Sequence, residues 1–425
     1  MKKFWFVFYN LLIVPALYIG ILIIGLYNKK IKRGITGRKR IFEELIVNSS
    51  SIHKANKLIW FHSSSLGEFE QAKPIIEDLK KNKKINILVT FFSPSGYDNS
   101  RKYPFADLVS YLPFDTKANA AKFINIVKPD LAVLMRYDIW PNHIWAMKNS
   151  NVPMFLVDAT MKANSNRKAL FIKNFHKYLF RDLTKILTIS QSDTEGFKDF
   201  GCSDSQVKAV GDTRFDRVYQ RSITARSHNL IKAGLFEKKK ILVAGSTWET
   251  DEEVILPAFS RLAKFDKDVI LIIAPHEPTV VHLEKIEQEF SGDLSTIRFS
   301  FLNNYKDERV IIIDSIGILL TLYTYADIAF VGGGFKQNIH NILEAAVYGI
   351  PVLFGPKIDN SQEAKELLKQ GGGILIRNKK EAYRNLRTLF MDDNLRKEKG
   401  AISYNYVQKN LGATERILKE INQSL

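Results

Sequence analysis

A single cysteine, Cys202, in 425 residues excludes an internal disulfide and any cysteine-rich metal centre. No histidine or carboxylate spacing resembles a dedicated metal cage, so no metal and no cofactor are expected. No Gly-Lys-Ser/Thr run closes a phosphate loop, and no glycine spacing matches the dinucleotide fingerprint. Helix-turn-helix, zinc-finger and RNA-binding signatures are missing, so nucleic acid is not an expected partner despite a formal net charge of +17. Short-period repeats and low-complexity tracts are missing as well.

What the chain does have, at its start, is the long uncharged stretch Phe4–Tyr27, followed at once by Lys29, Lys30, Lys32, Arg33, Arg38, Lys39 and Arg40. The run is long enough to cross or deeply enter a bilayer. The basic cluster is expected on the cytoplasmic side, against anionic lipid. A cleaved signal peptide fits poorly, because no small-residue cleavage site follows and the charges lie on the far side of the run. Asn10 and Pro15 keep a shallow, kinked insertion open beside a full span. The anchor reads as a separable tail: without residues 1–27 the protein should turn soluble and its folded domains should keep their ligand-binding ability. The rest reads as a cytosolic enzyme whose positive charge suits acidic lipid or a phosphorylated, carboxylated substrate.

At this length two domains are expected after the anchor. From Lys57 onward short β-rich runs alternate with helical stretches, the pattern of parallel α/β layers. The first series of strands is Lys57–Phe61, Ile85–Thr90, Leu108–Leu112, Asp130–Met135, Val152–Val157 and Lys185–Ile189, with helices such as Phe69–Lys81 and Thr116–Val127 between them. The second is Lys240–Ala244, Val269–Ala274, Val310–Asp314, Ile328–Val331, Pro351–Phe354 and Gly373–Ile376. The basic segment Asp216–Lys239 is the expected connection. The predicted organisation is an anchor with its basic flank over 1–40, one Rossmann-like domain over 41–216 and a second over 217–425, the two facing a cleft. A return of the last helices to the first domain stays open.

Several motifs fall just past strand ends, where parallel sheets bind ligands. In His62-Ser63-Ser64-Ser65-Leu66-Gly67-Glu68, Ser65 and Glu68 have capping-box spacing, which gives Glu68 a purely structural reading. The crowding of hydroxyls and a histidine at that turn favours a site, and a carboxylate at a helix start stays ionised, as a base must be. In Met135-Arg136-Tyr137-Asp138-Ile139-Trp140-Pro141-Asn142, Asp138 could hold a sugar hydroxyl, steady developing positive charge, or cap the proline-initiated helix. Val331-Gly332-Gly333-Gly334 leads through His340-Asn341-Ile342-Leu343-Glu344 to Gly349–Pro356, a turn that could set backbone N–H groups against a phosphate and a glutamate against ribose. Gly245-Ser246-Thr247, Pro275-His276-Glu277-Pro278 and Gly211-Asp212-Thr213-Arg214 are smaller signals of the same kind.

At these segments the sequence resembles the bacterial Kdo transferases, membrane-bound GT-B glycosyltransferases that add 3-deoxy-D-manno-octulosonic acid to lipid A precursor. The resemblance runs from about residue 35 to the end and is most specific at the turn ending Gly67-Glu68, at Asp138–Asn142 and from Ala326-Asp327 to Pro356. It implies a CMP-Kdo donor, a lipid IVA acceptor, inverting transfer without metal, and a place on the cytoplasmic face of the cell inner membrane. It implies Glu68 as general base, with Asp138 (usually Glu) and Arg214 (usually Lys) as transition-state stabilisers. It places the donor at Pro275, His276, Ile316, Gly317, Ile318, Asn341, Ile342, Leu343 and Glu344. The family's Pro-Arg is here Pro275-His276, a titrating cation for a permanent one. Its Met-Gly-Glu is Ile316-Gly317-Ile318, one carboxylate fewer, and an arginine usual after the fifth strand is Thr160, with Lys162 nearby. A GT-B transferase using a UDP-sugar on a lipid-linked acceptor is the nearest alternative, and an inactive membrane-tethered binding protein the next.

Overall fold

Alternate residues of the apolar runs feed two core layers, which is why the runs form strands covered on both faces. Leu58, Trp60, Ala132, Leu134 and Leu156 face one cluster, while Ile59, Phe61, Leu131, Val133, Phe155 and Val157 face the other. The computed structural model describes residues 2–50, 52–53, 55–162 and 165–425. The chain divides into two compact units, Met1–Arg217 with Leu411–Leu425, and Val218–Asn410.

The sheet of the first unit holds β1 (Lys57–Ser63), β2 (Ile85–Phe91), β3 (Leu108–Tyr111), β4 (Leu131–Met135), β5 (Met154–Ala159), β6 (Lys185–Thr188) and β7 (Val207–Ala209). All pair in parallel, in the order β3-β2-β1-β4-β5-β6-β7. The second unit has β8 (Lys240–Thr247), β9 (Val269–Pro275), β10 (Thr296–Arg298), β11 (Val310–Ile312), β12 (Ile328–Val331), β13 (Val352–Phe354) and β14 (Gly373–Leu375). Its order is β10-β11-β9-β8-β12-β13-β14, again all parallel. β7 and β10 were not expected. Each is a three-residue strand at a sheet edge, too short to show a pattern.

The strand order reverses between β1 and β4 in one unit and between β8 and β12 in the other. Those switch points are where doubly wound sheets open a crevice for ligands. The last helix, Ala413–Asn422, belongs to the first unit, where Ile417 and Ile421 are fully buried. Two such side chains contribute about 3–6 kcal/mol. Asp216 ties down its start by accepting from the N–H groups of Gly412 at 2.7 Å and Thr414 at 2.6 Å.

The apolar N-terminal stretch is helical from Lys2 to Tyr27, with a π-type turn at Tyr9–Ile13 just before Pro15, whose missing N–H disturbs the ladder. Among the described residues it is one helix, Lys3–Tyr27, long and apolar enough to cross a membrane. Asn28 breaks it and caps the next helix, Lys29–Gly37. Lys29, Lys30, Lys32 and Arg33 of that helix are exposed. Arg38 departs from the expected lipid-facing role. It is 8% exposed, and its guanidinium donates to the carbonyls of Gly34 (2.8 Å), Leu112 (2.8 Å) and Phe92 (2.6 Å). The Phe92, Tyr111 and Phe114 rings surround it. Arg38 is a clamp between the helix and the strand ends, and its fixed fork of donors suits that better than lysine.

Candidate active site

In the first unit, β1 delivers its chain into the turn Ser64-Ser65, and helix Leu66–Leu79 starts there. Glu68 Oε2 accepts from the N–H groups of Ser64 at 2.8 Å and Ser65 at 3.2 Å, so the structural reading of Glu68 holds as far as it goes. Ser93 N–H donates to Ser64 O at 2.9 Å and steadies the turn from β2. Among the described residues Glu68 Oε1 has no hydrogen-bond partner. Burial first, and the Asp138 carboxylate second, push the Glu68 carboxyl above its ordinary value, against the pull of Ser64, Ser65 and Arg136. That corrects the expectation of an easily ionised helix-start carboxylate and makes Glu68 a stronger base.

Asp138 follows β4, beyond Arg136, whose backbone is in the left-handed region at φ 62°. It does not cap the following helix. Its Oδ2 lies 2.7 Å from Nε2 of the buried His62. Trp60 Nε1–H donates to Thr90 Oγ1 at 2.8 Å, and Thr90 Oγ1 lies 2.8 Å from His62 Nδ1. The Thr90 carbonyl is also 3.2 Å from Nδ1, so Nδ1 has a hydroxyl and a carbonyl beside it while Nε2 faces the Asp138 carboxyl. β1 pairs with both β2 and β4 at His62, so the sheet register itself assembles this relay. His62 stood in the sequence motif; its partner did not.

A second cluster closes the same face. Arg214 Nε and Nη2 clasp the buried Asp212 carboxylate at 2.6–3.1 Å. Burial first, and the Asp212 carboxylate second, raise the fully buried Asp158 to about 7. Thr213 N–H donates to Asp158 Oδ1 at 3.2 Å, and Thr213 Oγ1 touches both Asp158 Oδ2 and Gln71 O. A hydroxyl has one hydrogen. A protonated Asp158 donating to Thr213 Oγ1, which then donates to Gln71 O, satisfies every group. A carboxyl whose folded value is raised stabilises the fold at low pH and loses that contribution as pH climbs through the folded value. Thermal melts from pH 5 to pH 8 should therefore show wild type losing stability relative to Asp158→Asn, which supplies the same donor at every pH. Parallel curves would mean that Asp158 does not carry a raised value within this range. Arg136, whose guanidinium donates to Gln71 Oε1 at 3.3 Å, acts on both Glu68 and Asp158 and was not singled out from sequence. Lys162 is exposed.

In the second unit the ends of β8, β9, β12 and β13 meet. A Cβ on Gly332 would lie 2.2 Å from Ser246 O, and one on Gly334 2.7 Å from Gly355 N, so these glycines serve close backbone packing. Asp251 Oδ2 accepts from Trp248 N–H at 2.9 Å and Gly333 N–H at 2.8 Å. His276 is exposed beyond the buried Pro275, and its ring stacks at 4.7 Å on Trp248 and at 4.4 Å on His340. Trp248 Nε1–H donates to His340 Nε2 at 3.0 Å. Burial and His276 lower His340 to about 4, so it is a neutral ring. Trp248 was missed, although it directly follows the Gly245-Ser246-Thr247 strand end.

The other expected donor residues are placed less evenly. Ile316 is 83% exposed, and Gly317 and Ile318 continue the same surface loop. Ile342 and Leu343 are buried in the core, so they offer a ligand no side-chain atom. Asn341 is exposed, and its Oδ1 accepts from Leu343 N–H at 3.1 Å. The helix behind it, Leu343–Ala346, has four residues, too few for a strong terminal dipole. Glu344 is half-buried, 3.4 Å from Arg221.

Residues 39–217 match the family pattern of 3-Deoxy-D-manno-octulosonic-acid transferase (kdotransferase). The 3-deoxy-D-manno-octulosonic acid transferase of Aquifex aeolicus is 32% identical over 345 residues, 80% of this chain and 88% of its own. A bifunctional glycosyltransferase/methyltransferase of Fusobacterium nucleatum is 29% identical over 357 residues; these are 80% of this chain but 54% of that protein, so the chain spans about half its length. Among solved structures, UDP-GlcNAc 2-epimerase from Neisseria meningitidis bound to UDP-GlcNAc superposes with a TM-score of 0.61, over 86% of this chain and 100% of that one, at 14% identity. That likeness concerns the fold alone and fits the two parallel seven-stranded sheets, a GT-B architecture. With the Aquifex relative matched along nearly its whole length, the chain belongs to the 3-deoxy-D-manno-octulosonic acid transferase family and is a glycosyltransferase.

Proposed function

We propose that the protein transfers Kdo from CMP-Kdo to lipid IVA with inversion, at the cytoplasmic face of the inner membrane. The observation that carries this reading is Glu68: a half-buried carboxylate of raised proton affinity, one oxygen fixed by two N–H groups and the other unpartnered, beside the β1/β4 switch point. Glu68 Oε1 takes the proton from the acceptor's primary hydroxyl as that oxygen bonds to the anomeric carbon of Kdo. The bond from that carbon to the CMP phosphate breaks, and CMP leaves with the electron pair. Asp138, held by His62, faces the positive charge that develops on the sugar. Arg214 steadies the departing phosphate, a task that needs charge more than a proton. The strand ends carrying Trp248, His276 and the glycine turn would hold the nucleotide, with Glu344 toward its ribose.

Incubating the full-length protein and lipid IVA with CMP-Kdo should give products heavier by whole Kdo residues in mass spectrometry. Products formed from UDP-N-acetylglucosamine instead, with none from CMP-Kdo, would overturn the donor assignment.

A further inference from the structure

The first turns of the apolar N-terminal helix hold polar side chains that a simple lipid anchor does not need. Tyr9 is 5% exposed, and its Oη donates to Asp115 Oδ2 at 2.8 Å. Asn10 and Asn142 exchange two amide hydrogen bonds, each 3.0 Å. Their remaining amide hydrogens go to Phe6 O and Asp115 O, so both side-chain amides have their donors spent.

These bonds end on the segment that presents Asp138. Helix Pro141–Asn149 has Trp140 at its N-cap, which offers no side-chain acceptor. Asp115 replaces it from outside, accepting from the N–H groups of Asn142 and His143, each at 3.1 Å. Tyr9 thus bonds the same carboxylate that caps this helix, and Ile139 packs into the apolar cluster of Tyr9 and Trp145.

The docking uses one side of these turns: Trp5 and Tyr9 are buried, while Phe4, Val7, Leu11 and Leu12 stay more than half exposed and continue the apolar surface of Val14–Tyr27.

We propose that the N-terminal helix is a positioning element of the catalytic site, with Tyr9 and Asn10 holding the Asp138–Asn142 segment through Asp115 and Asn142, and so coupling membrane attachment to turnover. This rests on the proposed role of Asp138, and it replaces the expectation of a separable tail.

The test is full-length Tyr9→Phe/Asn10→Leu, which keeps the helix apolar, beside Leu26→Ser on its exposed end. With the de-acylated, water-soluble disaccharide as acceptor, the double variant should lose roughly tenfold in kcat, as a slightly misplaced catalytic group does, with KM for CMP-Kdo and membrane partitioning unchanged. Leu26→Ser should do the reverse, weakening partitioning and leaving kcat alone. Amide exchange across residues 138–145 should quicken in the double variant only. Wild-type kcat in the double variant, with unchanged exchange, overturns the proposal. Should wild type itself transfer nothing, the function reading fails instead, and exchange alone decides this one.

Discussion

Glu68→Gln is expected to lower kcat by at least about a hundredfold, as loss of a general base does, while melting temperature and CMP binding stay close to wild type. The amide oxygen can still accept from the Ser64 and Ser65 N–H groups, so the turn keeps its bonds. What goes is the proton-accepting oxygen. The fold should not suffer either: the Glu68 carboxyl is raised in the folded protein, so its ionisation costs stability as pH rises, and glutamine has nothing to ionise. The pH profile carries the second half of the prediction. Activity should climb with pH through the raised value of Glu68, and Asp138→Asn, which leaves burial to raise it but removes the charge that adds to this, should move that limb to lower pH. Activity loss in Glu68→Gln that follows a fall in melting temperature would return Glu68 to its capping role alone.

Much of this was legible because parallel sheets advertise themselves. Both-face burial writes continuous apolar runs such as Ile59–Phe61 and Leu131–Met135, and the positions just past them are where ligands bind. Glu68 and Asp138 stood out from that pattern as candidates, since β1 and β4 end at the switch point, while the roles expected of them came with the resemblance. Three-dimensional partnerships could not be read that way. The His62–Asp138 bond needs the register of three strands, and the raised proton affinity of Asp158 needs its burial beside Asp212. Arg38 was misplaced because a basic run looks uniformly exposed, whereas one turn of helix turned this residue inward among aromatic rings. Asn142 was read as part of a sugar-binding segment, and its side chain is spent on the anchor. The glycines at 332–334 promised a phosphate cradle; sterically they first answer to Ser246 and Gly355.

Arg214→Gln should cut kcat by roughly a hundredfold to a thousandfold, the usual loss when a preorganised charge facing a leaving group is removed. The guanidinium is preorganised here. Asp212 binds its Nε and Nη2, and the Arg214 backbone N–H reaches the same carboxylate at 2.9 Å, so side chain and main chain are fixed together. Asp212 is buried and Arg214 is 35% exposed, which leaves the cation reachable for a phosphate while its counter-charge is out of reach. Because the loss concerns charge in the transition state, KM for CMP-Kdo should move little and the pH profile should keep its shape at lower height. Arg214→Lys keeps the charge but gives up the fork, so it should fall between the two, within about tenfold of wild type. Asp212→Asn should reproduce part of the defect by loosening the hold on the guanidinium, and should also let Asp158 ionise at lower pH, since one raising charge is gone. Equal activity for the glutamine and lysine variants would show that the site uses Arg214 for structure and draws its leaving-group charge from elsewhere.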